Sequence, residues 1–309
     1  MEDLKYVFGP VPSRRLGRSV GVSPILDNTC NHTCVYCQLG RTRHMTNKRQ
    51  EFFPLQEILA EFKRYAEDTD AYDVVSVVGE GEPTLYSQLG ELLKGLKQLT
   101  DKPVTVITNG ALLYDPQVRA ELMEADIVLP SLDAVTAEMY HRIDRPYGRL
   151  DFEAGLKGLI DFSHEYKGQL WLEIMLVDGM NTAPADLEAF AELVKKIRTD
   201  RIYINTPVRP PAEAEIAPAS HEAIQKACEL LGAISIDMLT TGSFSSEIED
   251  DYEACISICR RHPMNQFEIR GFLQSRGCED AEGFFKRLEA DAQVTAVDCK
   301  GMKTYRIRR

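Results

Sequence analysis

Six short apolar runs, each followed by a helix-patterned segment, constrain this chain more than any other feature. The runs fall at residues 19–25, 74–78, 104–107, 127–129, 170–177 and 202–204. The run from Val74 to Val78 is almost continuously apolar, as a strand covered on both faces would be. Between runs, apolar residues recur at helical spacing: Leu55, Ile58, Leu59 and Phe62 after Pro54, then Leu89, Leu92, Leu93 and Leu96. Further helices are expected at 118–123, 152–166, 187–197 and 223–231. Strand-then-helix alternation implies a parallel sheet with right-handed crossovers. Six units are too few for a closed eight-stranded barrel. An α/β architecture follows, an open, partial (β/α)6 barrel with its functional residues at the C-terminal ends of the strands. Residues 8–18, punctuated by Gly and Pro and rich in Arg, read as extended or turning backbone.

The pattern changes near Gly242, which divides the chain into expected domains at 1–241 and 242–309. Three short helices are expected at 252–261, 265–275 and 280–290. Strands at 294–297 and 304–307 then form a hairpin through Cys299-Lys300-Gly301-Met302. That order is winged-helix-like. Such modules commonly read DNA, but the third helix region carries Asp280, Glu282, Glu289 and Asp291 against Lys286 and Arg287. That face repels phosphates, so DNA is disfavoured and docking of protein, peptide or RNA, or plain structure, is preferred.

The chemistry is concentrated in Cys30-Asn31-His32-Thr33-Cys34-Val35-Tyr36-Cys37. One loop here offers three thiols and no obvious fourth. Structural zinc wants four protein ligands, usually in two separated pairs, whereas iron–sulfur clusters are held by thiolates. A cubane held at three corners would leave one iron open. A zinc knuckle borrowing His32 or His44, or a disulfide loop, is the alternative. Eight cysteines in 309 residues, three of them clustered, suit metal binding in a reducing compartment. No run nears the ~20 apolar residues of a membrane span, and Met1-Glu2-Asp3-Leu4-Lys5 lacks the start of a signal peptide. A cytoplasmic protein is expected.

With its C-x3-C-x-aromatic-C spacing, the cysteine loop resembles the signature of the radical S-adenosylmethionine (radical SAM) superfamily, Tyr36 standing in the aromatic place. The resemblance covers about residues 1–235 and implies a radical SAM barrel. It implies a [4Fe-4S] cluster on Cys30, Cys34 and Cys37, with S-adenosyl-L-methionine on the open iron. It implies reductive cleavage to a 5′-deoxyadenosyl radical that abstracts hydrogen from a substrate, and a low-potential reductant such as flavodoxin or ferredoxin. The opening Phe8-Gly9-Pro10-Val11-Pro12-Ser13-Arg14-Arg15 further resembles a branch distantly related to wyosine-base-forming tRNA enzymes.

Motifs at the strand ends fit the same resemblance. Gly81, Glu82 and Pro83 match a Gly-Glu-Pro ending that meets the cofactor's methionine amine, with Glu80 where a glycine is usual. Asn109, in Thr108-Asn109-Gly110, and Ser131 and Asp133 stand where the family contacts ribose, methionyl or carboxylate groups. An Asn-Gly turn and a helix N-cap account for them equally. Arg142 or Arg145 could pair with the cofactor carboxylate. Glu173 and Met175 alternate with Leu172 and Ile174, and one of these faces must point inward. Asn181 stands at the end of that strand, Asn205 and Arg209 are weaker substrate-site candidates, and Cys255 with Cys259 a candidate second cluster.

The net charge is −12, yet residues 1–50 hold eight Lys/Arg against three acids, a local +5. An anionic substrate or an acidic reductant would be steered there. An RNA base is one candidate substrate, favoured by kinship and this patch; a protein, peptide or small metabolite is the other. The alternative of a different class is an iron–sulfur sensor regulating transcription through the winged helix.

Overall fold

In the computed structural model the described residues are 5–66, 71–148, 150–236, 244–246, 248–278, 280–299 and 302–308. The chain opens on an antiparallel pair, β1 (Val7–Ser13) and β2 (Gly17–Val22), whose turn needs Gly17 at φ +76°. The next loop carries β3 (Thr29–Cys30) and β4 (His44–Met45), paired with each other. Helix α1 (Leu55–Ala66) leads to β5 (Val74–Val77), α2 (Leu89–Leu99) to β6 (Val104–Thr108), and α3 (Pro116–Leu122) to β7 (Ile127–Pro130). Then come α4 (Ala137–Ile143), α5 (Phe152–Glu165), β8 (Gln169–Met175), α6 (Pro184–Val194), β9 (Arg201–Asn205), α7 (His221–Leu231) and β10 (Ile234–Ser235).

These strands form one mixed sheet in the order β1-β2-β5-β6-β7-β8-β9-β10, parallel except for the β1–β2 pair. All six expected strands are present. The sheet gains two more: β1, because the segment read as merely extended is itself a strand, and the two-residue β10 after α7. Pro10 and Pro12 lack the N–H that an inner strand would need, so β1 lies at the edge.

The sheet is strongly curved. In a flat sheet β2 and β8 would stand roughly 19 Å apart, at ~4.8 Å per neighbour. Yet Arg15, in the β1–β2 turn, forms an ion pair with Glu173 on β8. Side chains alternate accordingly. Leu170, Leu172 and Ile174 face outward into the core shared with the helices. Ile127, Leu129, Trp171 and Tyr203 fill the start of the concave side. Beyond them Glu173, Met175 and Asn205 line an open interior. Of the two faces of β8, the one bearing Glu173 and Met175 is therefore the inner one.

After Phe244 the chain builds a second core. Helix α8 (Asp251–Arg261), β11 (Met264–Asn265), α9 (Gln266–Ser275), α10 (Ala281–Ala290), β12 (Val294–Cys299) and β13 (Met302–Ile307) enclose Tyr252, Cys255, Ile258, Cys259, Phe272, Phe285 and Leu288, among others. The three strands pair antiparallel in the order β11-β13-β12. The expected boundary at 241/242 lies outside the described residues, as do Lys300 and Gly301 of the hairpin turn. Among the described residues no helix is long and apolar enough to cross a membrane.

One buried carboxylate fixes the start of the sheet. Glu61 on α1 accepts from the backbone N–H of Tyr6 and Val7, both at 2.7 Å, and of Lys5 at 3.1 Å. Glu61→Ala strands these donors and should cost about 2–3 kcal/mol. The urea midpoint should fall at unchanged slope; an unmoved midpoint would remove the clamp.

Candidate metal centre and cavity

The cysteine loop is laid across the strand ends by backbone bonds from three directions. Thr29 bridges to Gly81 beyond β5. Val35 N–H donates to Ile143 O at 2.9 Å, at the end of α4, and Glu213 N–H, beyond β9, donates to Val35 O at 3.1 Å. Cys37 N–H donates to Cys34 O at 3.1 Å, closing a turn that carries two of the thiols. Cys30, Cys34 and Cys37 are half-buried and none of them is in a disulfide, so the disulfide-loop alternative is absent from the structure.

The surroundings of Cys30 and Cys34 oppose ionisation. Burial pushes the Cys30 thiol far up, aided by Glu82 and Cys37. Burial likewise pushes Cys34 up, followed by Asp144, Cys37, Cys30 and Asp133. Cys30 and Cys34 thus each lie near enough to Cys37 to feel its charge. Thiolates at Cys30 and Cys34, beside carboxylates, would be stabilised by a centre of positive charge. The donor set therefore fits a cationic cluster. A narrower grouping also exists: His32, Cys34 and Asp144 offer ligand atoms within 4.8 Å of one another. Burial drives His32 down to about 3, leaving it neutral. Its Nε2 meets the Tyr140 hydroxyl at 2.6 Å and its Nδ1 has no hydrogen-bond partner. That grouping uses one cysteine of the three and does not include His44, which is exposed on β4 opposite Thr29.

The strand-end motifs come together beside the loop. Glu82 is buried, and both carboxylate oxygens are taken by protein donors. Thr84 N–H (3.0 Å), Thr84 Oγ1 (2.6 Å) and Thr108 Oγ1 (2.6 Å) reach Oε1, and Asn109 N–H (2.7 Å) reaches Oε2. Burial raises its pKa against these bonds. Asn109 in turn donates Nδ2 to Asn31 Oδ1 at 2.7 Å, with Cys30 Sγ 3.7 Å away. Asp133 accepts from Met175 N–H at 2.8 Å and from the Tyr36 hydroxyl, and burial lifts it to about 6. Asn109, Ser131 and Asp133 share a recess of about 50 Å³ with His32 and Tyr140. Gly81, Glu82 and Pro83 lie outside it, at the turn under the loop.

The remaining candidates have protein partners. Arg142 donates to Met180 O and Arg145 to Glu213. Asn181 is buried and bonds Asp133 O, Met175 O and Val177 N–H. Asn205 donates to Glu173 at 3.0 Å. Cys255 and Cys259 sit in the C-terminal core with their sulfurs 4.0 Å apart.

Sequence reasoning missed Glu213, which no spacing or motif marks. It is buried and accepts a forked bond from Arg41 (2.8 and 2.7 Å) and a further bond from Arg145, tying the end of the cysteine loop to the far strands. These guanidiniums hold its carboxyl down to about 2. The ordinary value is about 4.3, so the stabilisation is complete above that pH and is lost as pH falls towards 2. Glu213→Gln should therefore melt earlier than the wild type at pH 7, with the gap closing below about pH 4. A gap that stays constant with pH would refute the ion-pair origin.

A larger cavity, about 390 Å³, lies within the curve of the sheet and reaches Tyr36 and Cys37. Phe8, Ser19, Ser76, Ile107, Glu173, Met175 and Asn205 supply its sheet-side lining. This volume is that of a small-molecule site.

A family model described as the Radical SAM superfamily matches residues 25–194. A UPF0026 protein of Methanocaldococcus jannaschii is 34% identical over 312 residues, covering 94% of this chain and 95% of that one. A Brachyspira hyodysenteriae protein named GTPase Obg is 38% identical over 223 residues, 72% of this chain; the chain spans only 33% of that protein. Among solved structures, TYW1 with a lysine–pyruvate adduct bound superposes with a TM-score of 0.53 at 22% identity, over 69% of this chain and 72% of that one.

Proposed function

Because the chain belongs to the radical SAM superfamily, enzymes that hold a [4Fe-4S] cluster and S-adenosylmethionine, we propose that Cys30, Cys34 and Cys37 are the cluster ligands. The observation carrying this is one loop that presents three thiols outside any disulfide at the strand ends, two of them, Cys30 and Cys34, pushed up by burial and by neighbouring negative groups that a cationic centre would offset. When bound, the pair supplies one-electron reductive cleavage of the sulfonium, releasing methionine and a 5′-deoxyadenosyl radical that takes a hydrogen atom from the substrate.

The chain's own residues bind and orient. Glu82 braces the turn so that the Gly81–Pro83 backbone faces the methionyl amine. Asn109, Ser131 and Asp133 hold ribose or carboxylate oxygens from the 50 Å³ recess. Tyr36, bonded to Asp133, ties the loop to that recess. The 390 Å³ cavity, adjoining Cys37, takes the substrate and shields it from water. We read the curved sheet as a partial (β/α)6 barrel and the C-terminal unit as winged-helix-like. A flavodoxin or ferredoxin is the reductant, and the cytoplasm the compartment that keeps such thiols reduced.

Anaerobic reconstitution with iron and sulfide, then dithionite and S-adenosylmethionine, should release 5′-deoxyadenosine. Protein that holds its full iron yet releases none would overturn the proposal.

A further inference from the structure

The wall of the larger cavity opposite the sheet comes from the C-terminal unit. Phe244, Arg261, His262 and Glu268 line it together with Arg14, Arg15 and Arg209. The unit is held there by direct bonds. Ser245 donates N–H and Oγ to Pro10 O, Arg261 donates to Lys5 O at 3.2 Å and stacks on Phe8 at 4.7 Å, and Arg209 pairs with Glu268 at 3.0 Å.

The lining is unusually cationic for an enclosed space. Among the described residues that line it, four guanidiniums face two carboxylates, Glu173 and Glu268. Glu173 pairs with Arg15 and Glu268 with Arg209. A third carboxylate, Glu80, stands 3.8 Å from Arg261. The Arg261 side chain is 8% exposed, and its buried Nε has no hydrogen-bond partner. Arg209 donates to His262 Nε2 at 2.6 Å, which keeps that ring an acceptor. Burial and then Arg209, Arg14 and Arg15 press the His262 pKa down, the mark of a positive field from several directions. A buried guanidinium N–H without an acceptor, as at Arg261 Nε, is costly unless an acceptor enters, and a guanidinium fork matches carboxylate and phosphate geometry.

We propose that this cavity binds a small anionic substrate, bearing a phosphate or a carboxylate, and that Arg261 of the C-terminal unit recognises it together with Arg14 and Arg209. This rests on the reading of the cavity as the substrate site of a radical SAM enzyme, and it makes the C-terminal unit a determinant of specificity. A volume of about 390 Å³ suits a metabolite, not a length of polymer.

The test is calorimetric titration of the anaerobically reconstituted protein with inorganic phosphate and, separately, succinate, ionic strength being held constant with sodium chloride. Saturable binding of at least one anion is expected, the tighter of the two naming the group. Arg261→Gln and Arg14→Gln should each weaken it roughly tenfold or more, as loss of a charge-assisted bond does. Thermal melting checks both variants. Should Arg261→Gln fail to fold, because it also stacks on Phe8, Arg14→Gln in the β1–β2 turn decides. No binding to the wild type, or wild-type affinity in the folded variants, would overturn the proposal. Titration needs no turnover, so absence of 5′-deoxyadenosine would refute the cofactor reading while anion binding stayed measurable.

Discussion

Replacing Cys30, Cys34 and Cys37 together by alanine should give a protein that folds but takes up no iron–sulfur cluster and releases no 5′-deoxyadenosine. The fold should survive because these sulfurs do little for it. All three are half-buried, and the Cys34 contact with Asp144 is long, at 3.5 Å. The loop is held instead by backbone bonds from Val35, Glu82, Glu213 and Tyr147 and by the Glu213 clamp. The cost to stability should stay near 1 kcal/mol per thiol. The cost to iron should be total, from about four atoms per chain to none, since no other donors replace three thiolates at those corners. Single variants should lose most of it too. Cys255→Ala with Cys259→Ala should behave oppositely: iron stays, while melting falls through the cavity left in the C-terminal core. Iron surviving the triple substitution would end the assignment. Wild-type protein carrying zinc instead would point to the His32, Cys34 and Asp144 grouping.

The sequence carried the repeating architecture and the thiol loop because both are local signals. Period and spacing survive in a single window of chain. Helix α4 escaped notice because Ala137–Ile143 is only two turns long, so its apolar stripe is just Met139, Tyr140 and Ile143 behind the Thr136 cap. The inner face of β8 was a choice between two faces, and only the curvature that brings Arg15 to Glu173 decides it. Charge was the least legible quantity. A local excess of +5 over residues 1–50 suggested a basic surface. In space Arg15, Arg18, Arg41, Arg43 and Arg49 each pair with a carboxylate, four of them distant in sequence. The cationic lining that remains draws on Arg209 and Arg261, which no window containing the cysteines includes. Glu82 shows the same limit. Its motif marks it as important, but only the fold reveals four protein donors on its oxygens.

Among the described glycines, Gly81→Ala should be the most damaging added methyl. A Cβ at Gly81 would stand 1.7 Å from the Thr29 carbonyl oxygen and 2.5 Å from its carbon. Both are backbone, so no rotamer change relieves the clash. The same oxygen accepts from Glu82 N–H at 3.1 Å, and Thr29 is followed directly by Cys30. Separation by more than an ångström must therefore break the Thr29–Gly81 bridge and swing Cys30 away from Asn109. We expect a loss of about 3 kcal/mol or more, as overpacking against a fixed backbone gives, together with weakened iron uptake. Gly148→Ala is the control, since a Cβ there meets nothing within 4 Å. Glu82→Gln separates the turn's shape from its charge. It keeps the size but sets an amide NH2 against donors from Thr84, Thr108 and Asn109, at least one of which then loses its acceptor. Stability should drop by about 1–3 kcal/mol with the bridge to Thr29 intact, so iron uptake should suffer less than in Gly81→Ala. If Gly81→Ala melts and takes up iron like Gly148→Ala, the Thr29 carbonyl is free to move, and the turn after β5 does not position the thiol loop.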